Sequence, residues 1–279
     1  MANIGVFRRE GWDAGAYAVA LINAQEALAG SSHRLSLHTF RDGELPRVAD
    51  AAGDVEALLV FGAEGAEVDF LRAAERPSLI CERVVEGCNY IAPDNEDMGR
   101  TAARHLLDLG HTELAVVVPG TAETVGAYHG TRLQGFRQAA EESGHPVSED
   151  NVLFGAKGWP GGLTAADMLL ARSELPEALY VLNQPMGLSM LKTLRDGGVQ
   201  IPDDLSLVST TFAQLNAAPA TDHTSPPLTC VTFAKEEMGR RGVEYLVSVV
   251  DGDTTEPLHV LLPGILVERA STLRAKAAV

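Results

Sequence analysis

Basic charge is what this chain has too little of: 22 Lys+Arg stand against 38 Asp+Glu, a formal charge of −16. Such a deficit opposes attraction to phosphate backbones, so these residues are not expected to bind DNA themselves. A separate basic module on the same natural chain would have to do so. Cysteine is scarce as well. Cys81, Cys88 and Cys230 are odd in number and show no CxxC spacing, which argues against a disulfide framework, a zinc site or a redox pair and leaves three reduced, packed thiols. No apolar run approaches the ~20 residues of a membrane-spanning helix. The start, Met1 to Phe7, turns polar at Arg8 without the basic opening and long apolar stretch of a secretory signal, so a cytoplasmic location is expected unless a leader has been removed. GxGxxG after the first strand, GxxxxGKS/T, HExxH and GxSxG are all missing, and with them the commonest nucleotide, metalloprotease and hydrolase signatures. No metal, cofactor or enzymatic activity is expected.

The chain does have a regular alternation of short apolar runs with amphipathic stretches, the pattern of βα units feeding a largely parallel sheet. Strands are predicted at Ile4–Phe7, Leu35–Phe40, Ala57–Phe61, Ser78–Cys81, Leu114–Val118, Ala178–Leu182 and Leu205–Val208. After Pro93, Asp94 can cap a helix whose stripe is Met98, Ala102, Leu106 and Leu109, and Gly110 stops it. A second helix begins near Ala234, with Met238, Gly242, Tyr245, Leu246 and Val249 on one face. A third carries Leu133, Phe136 and Ala140 and ends at Gly144. A chain of 279 residues with this many units exceeds one open sheet, so two closely coupled lobes are expected.

Acid/base pairs can be drawn at Asp94 with Asp97 or at Asp203-Asp204, but a helix cap and a turn explain them better. The eight histidines show no i, i+4 pairing, and His111, just past the stopping glycine, is accounted for by the helix dipole.

The stretch "APDNEDMGRTAARHLLDLGHTELAVVVPG" followed by "YHGTRLQGF", and then "LPEALYVLN", "GGVQIPDDLSLVS", "SPPLTCVTF" and "LLPGILVERAST", occur in the order found in the lac-repressor/galactose-repressor (LacI/GalR) family of transcription regulators. The chain resembles the effector-binding core of that family over about residues 75–275. The resemblance implies an α/β fold of two Rossmann-like, doubly wound lobes joined by three crossovers, the periplasmic-binding-protein-like type I arrangement. The lobes would comprise 1–109 with 233–260 and 110–232 with 261–279, the crossovers lying near Gly110, Cys230 and Leu262. A ligand cleft would lie between the lobes, lined by loops at the carboxyl ends of the strands. The DNA-binding headpiece of the family is not among these residues. As partners, the resemblance implies a sugar, sugar phosphate or sugar acid as effector, a homodimer, no membrane, and operator DNA only through a headpiece.

Arg132 matches the family's ligand-contacting arginine, whose fork of donors can grip two oxygens. Taken alone it is an ordinary helix arginine. Asn183 matches the ligand-site asparagine, otherwise a strand-end turn residue, and Trp159 in "GWPGG" matches a tryptophan that packs on the ligand or else covers a lobe edge. Trp12, after the first strand, could stack on a ligand from the other lobe. Two positions depart from the family. Gln184 follows Asn183 where Asp is common, and Thr211 lies in "STTF" where acids are common. Losing two carboxylates while keeping Arg132, with Arg8 and Arg9 nearby, makes the site less hostile to anions and favours an anionic effector. A stand-alone solute-binding protein for a transporter is the competing reading; an export signal upstream of residue 1 would distinguish it from a regulator, which should carry a basic helix-turn-helix there.

Overall fold

The computed structural model describes residues 1–11, 14–211 and 220–276. The chain forms two compact units, Met1–Pro93 with Ala234–Leu262 and Asp94–Phe233 with Pro263–Val279.

The first unit is built from β1 (Asn3–Arg9), α1 (Ala14–Ala27), β2 (Arg34–Phe40), α2 (Leu45–Ala51), β3 (Ala57–Phe61), α3 (Ala66–Ala73), β4 (Ser78–Cys81) and β5 (Tyr90–Pro93). Its sheet, completed by β11 (His259–Leu262), runs in the order β11-β5-β4-β3-β1-β2, every pair parallel. Helices cover both faces of a parallel sheet, so its inner strands read as unbroken apolar runs; β3, Ala-Leu-Leu-Val-Phe, is buried throughout. β2 lies at the sheet's end and alternates in exposure as an edge strand does. The long helix α8 (Lys235–Val250) packs on α1 through Gly239, where an added Cβ would come within 1.8 Å of the Ala20 carbonyl oxygen.

In the second unit, α4 (Asn95–Asp108), β6 (Leu114–Pro119), α5 (Ala127–Glu142), β7 (Val152–Gly155), α6 (Trp159–Leu170), β8 (Ala178–Val181), α7 (Gln184–Asp196), β9 (Ser206–Thr210), β10 (Thr229–Thr232) and β12 (Ile265–Val267) follow in chain order. Its strands run β12-β10-β9-β8-β6-β7, with β12 alone antiparallel. The core beneath α6 and α7 gathers Leu153, Leu169, Leu179, Met186, Met190 and Leu194.

The α/β expectation of two doubly wound lobes is met. One expected boundary is not: the sequence reading kept the helix after Pro93 with the first lobe, whereas α4 packs within the second unit. The cause is a crossing of glycines. A Cβ on Gly99 of α4 would lie 2.0 Å from the Arg132 carbonyl oxygen, and one on Gly135 of α5 would lie 2.0 Å from that of Glu96, so the two backbones touch without side chains between them. The C-terminal segment holds α4 from its other flank. Gly264 N donates to Asp97 Oδ2 at 2.8 Å, Ala275 N to the Leu109 carbonyl at 2.8 Å, and His105 Nε2 lies 3.0 Å from Thr272 Oγ1. His111 also differs from expectation. It is buried, its Nε2 lies 2.9 Å from both Ser206 Oγ and the Leu273 carbonyl, and burial lowers its pKa. A neutral clamp on the C-terminal segment replaces the dipole-stabilised cation.

Candidate functional site

Each βα unit of the second domain delivers a helix N-terminus to the carboxyl edge of the sheet, and Arg132, Trp159, Asn183, Gln184 and Thr211 lie on the helices and strand end that reach it. Arg132 lies on α5 and is 1% exposed. Its Nη1 donates to the Leu182 carbonyl at 3.0 Å and to Thr210 Oγ1 at 3.2 Å; its Nη2 donates to Asn95 Oδ1 at 2.6 Å. Thr210, the last residue of β9, is itself 2.9 Å from the Tyr180 hydroxyl. The guanidinium thus joins α4, α5, the end of β8 and the end of β9. All its partners are neutral, and among the described residues no carboxylate forms an ion pair with it. Its Nε is buried without a hydrogen-bond partner. Burial pushes its pKa down, with Tyr180 and Tyr128 opposing.

Asn183 directly follows Leu182 and caps α7, its Oδ1 accepting from Met186 N at 3.3 Å. Gln184 is the first residue of that helix and is half-buried. Thr211 is buried one residue beyond β9, its backbone N donating to the Val231 carbonyl at 3.0 Å. Trp159 opens α6 and is 46% exposed, so its indole face is open to a planar or ring-bearing guest. Trp12 lies outside the described residues.

Four contributors were missed from sequence. Asn95, the first residue of α4, receives the shortest bond from Arg132. Thr210 and Tyr180 form the buried platform behind the guanidinium. His129, one turn before Arg132 on α5, is buried; burial, then Arg132 and Lys157, lower its pKa to about 3. The spacing Gly99 and Gly135, each on a helix otherwise rich in long side chains, was the available signal for the crossing that unites Asn95 with Arg132.

The first unit's sheet edge is electrostatically different. Arg9 contacts Glu64 Oε2 at 2.8 Å, Asp42 Oδ1 at 3.0 Å and Glu67 Oε2 at 3.4 Å, and Arg83 Nη2 adds a bond to Glu64 Oε1 at 2.9 Å. The expectation that Arg9 favours anions is therefore overturned, because neighbouring carboxylates neutralise it. Arg8 sits over the Tyr17 ring, 5.3 Å from its centroid. Among the described residues no cluster of His, Cys, Asp and Glu could hold a metal ion, and no helix is long and apolar enough to cross a membrane.

A family model described as a periplasmic binding protein-like domain matches residues 103–272. The HTH-type transcriptional regulator CelR of Thermobifida fusca is 32% identical over 237 residues, which is 85% of this chain and 62% of that protein. The HTH-type transcriptional repressor PurR of Vibrio cholerae is 32% identical over 157 residues, 56% of this chain and 44% of that protein. The matched segments therefore span between 44% and 62% of these relatives' length. A solved CelR–cellobiose complex superposes with a TM-score of 0.80 at 27% identity, covering 96% of this chain and 84% of that one.

Proposed function

We propose, from the premise that this chain belongs to the periplasmic binding protein-like family and within it to the effector-binding cores of LacI/GalR regulators, that it senses a sugar-like effector and controls operator binding by a DNA-binding headpiece. The observation that carries this reading is the buried guanidinium of Arg132, presented at the carboxyl edge of a parallel sheet beside Asn183 and Thr211. A fork of N–H donors next to a carboxamide and a hydroxyl suits a polyhydroxylated guest. The name of the CelR–cellobiose complex supports a sugar. The regulator names of the relatives favour control of transcription over delivery to a transporter or catalysis. In a protein that carries the headpiece, effector and operator binding are then linked, each altering the affinity for the other by the same factor. The negative charge of this core leaves DNA contact to the headpiece. The protein acts in the cytoplasm as a homodimer.

The dimer contact lies on the first unit, where Leu21, Ile22, Leu35 and Leu37 line an apolar groove beside the open edge of β2. Ile22 is 51% and Leu37 56% exposed. A second copy presenting the same groove would cover both by an isologous contact.

A thermal-shift screen over sugars, sugar phosphates and nucleosides tests the sensing role. A sugar at about 100 times its Kd stabilises the native state by ~2.7 kcal/mol, a rise of roughly 5–10 °C for a domain of this size. Arg132→Lys, which keeps the charge and loses the fork, is expected to fold and to lose most of that rise. If no sugar raises the melting temperature, or the rise persists in Arg132→Lys, the assignment is wrong.

A further inference from the structure

We infer that the effector carries an oxyanion, a carboxylate or a phosphate, and that Arg132, His129 and Lys157 form the pole of the second unit that receives it. The inference rests on the effector-sensing reading and adds the charge of the ligand.

Its first support is the isolation of the Arg132 charge. A guanidinium this deeply buried costs several kcal/mol unless it is paired. Here its hydrogen bonds go to a carbonyl, a hydroxyl and a carboxamide, and its Nε has no partner. The same chain pairs Arg9 with three carboxylates in its other unit. Acidic partners were therefore within reach of this sequence, and the second unit places none against Arg132 among the described residues.

The second support is what surrounds it. Helices α5 and α6 begin at this sheet edge after Gly126 and Gly158, with no side-chain cap and no acid in their first turns. Their N-termini, without a capping side chain, add positive potential. By contrast, Asp94 caps α4 and Asn183 caps α7. Lys157 lies two residues before the start of α6, and burial first, then the charges of Arg132 and Lys157, hold the buried His129 ring neutral. Glu123, the acid in the loop before α5, is held by Thr121 Oγ1 at 2.7 Å. Gln184 and Thr211 add no charge. The site thus offers donors and positive potential, which a neutral sugar uses only in part and an anion uses fully.

Titration calorimetry on the chain with matched pairs decides the matter: glucose against glucose 6-phosphate and glucuronate, and cellobiose against cellobionate, with inorganic phosphate alone as a further arm. The acid member is expected to bind at least tenfold tighter. The preference should shrink between 0.05 and 0.5 M salt and fall about threefold in Lys157→Gln, an exposed position whose substitution leaves the fold intact. The acid should also raise the His129 pKa, read from its ring resonances. A neutral member that binds as tightly as its acid partner, or tighter, overturns the inference and leaves the sugar reading standing. Should no sugar of either kind bind while phosphate alone does, with dependence on Lys157, the sugar reading falls and the oxyanion pole stands. If nothing binds, both fall.

Discussion

Replacing Gly135 with alanine probes the helix crossing on which the site depends. The new Cβ would lie 2.0 Å from the Glu96 carbonyl oxygen and 2.8 Å from its carbon. A carbon requires ~3.3 Å or more from a carbonyl oxygen, so the α4 and α5 backbones must part by more than ~1 Å. The obstacle is backbone, and no flexible side chain can yield. The cost therefore lies at the upper end of the ~1–3 kcal/mol typical of overpacking. Alanine recovers up to ~1 kcal/mol of helix propensity, leaving a net loss of about 2 kcal/mol. For a domain of this size that lowers the melting temperature by roughly 4–8 °C. The separation also stretches the 2.6 Å bond from Arg132 to Asn95, so effector affinity should fall together with stability. Calorimetric unfolding with and without effector measures both. A variant that melts at or above the parent temperature, as propensity alone would give, refutes the close crossing.

Acid should weaken the protein through its buried histidines. His129 titrates near 3 in the folded chain against 6.5 ordinarily, so below about pH 6.5 the unfolded chain takes a proton that the native state refuses. Its contribution is fully present above that pH and is lost toward pH 3 at ~1.4 kcal/mol per unit, about 2 kcal/mol by pH 5. His105 and His111, both lowered by burial, act in the same direction. Urea unfolding across pH 5–7 should show this slope, and in His129→Gln the slope should flatten; an unchanged slope in the variant removes His129 as its source. Ile22→Glu and Leu37→Glu should each shift sedimentation from dimer toward monomer without altering the circular dichroism. A dimer of undiminished affinity in both would move the contact elsewhere.

The sheets were legible because buried parallel strands are nearly continuous apolar runs: Ala57–Phe61 and Ser78–Cys81 are read to the residue. Tyr90–Pro93, Val152–Gly155 and Thr229–Thr232 were not, because a closing proline, a closing glycine or flanking threonines break up their apolar runs. Asp94 was recognisable as a cap because its chemistry is local, and its side chain accepts from Asp97 N at 2.9 Å. The partner helix of α4 was not legible. Both faces of that amphipathic stretch are satisfied only in three dimensions, by Gly135 on one side and by the segment around Gly264 and Thr272 on the other. For the site, family resemblance pointed to Arg132 and Asn183, whereas Asn95 and Thr210 meet the guanidinium across 37 and 78 residues of sequence, and Tyr180 reaches it only through Thr210. No local pattern encodes such a meeting.

The two arginines at the two sheet edges show how position decides role. Arg9 ends β1 and Arg132 sits on the inner turn of a helix, and either could have served as the charge that greets a ligand. Arg9 is ringed by Glu64, Glu67 and Asp42, with Glu67 also accepting from Gly43 N at 2.5 Å. An arriving anion would have to displace carboxylates already in place, so Arg9 acts as a loop tie. Arg132 is held rigid by three neutral acceptors that fix its orientation and cancel none of its charge. Rigid and unneutralised, it would lose little freedom on binding the proposed effector and would meet it with full charge in a dry setting, where electrostatic attraction is strongest. Holding it in place falls to the glycine crossing, so on the proposed effector-sensing reading Gly99 and Gly135 would act as positioning residues.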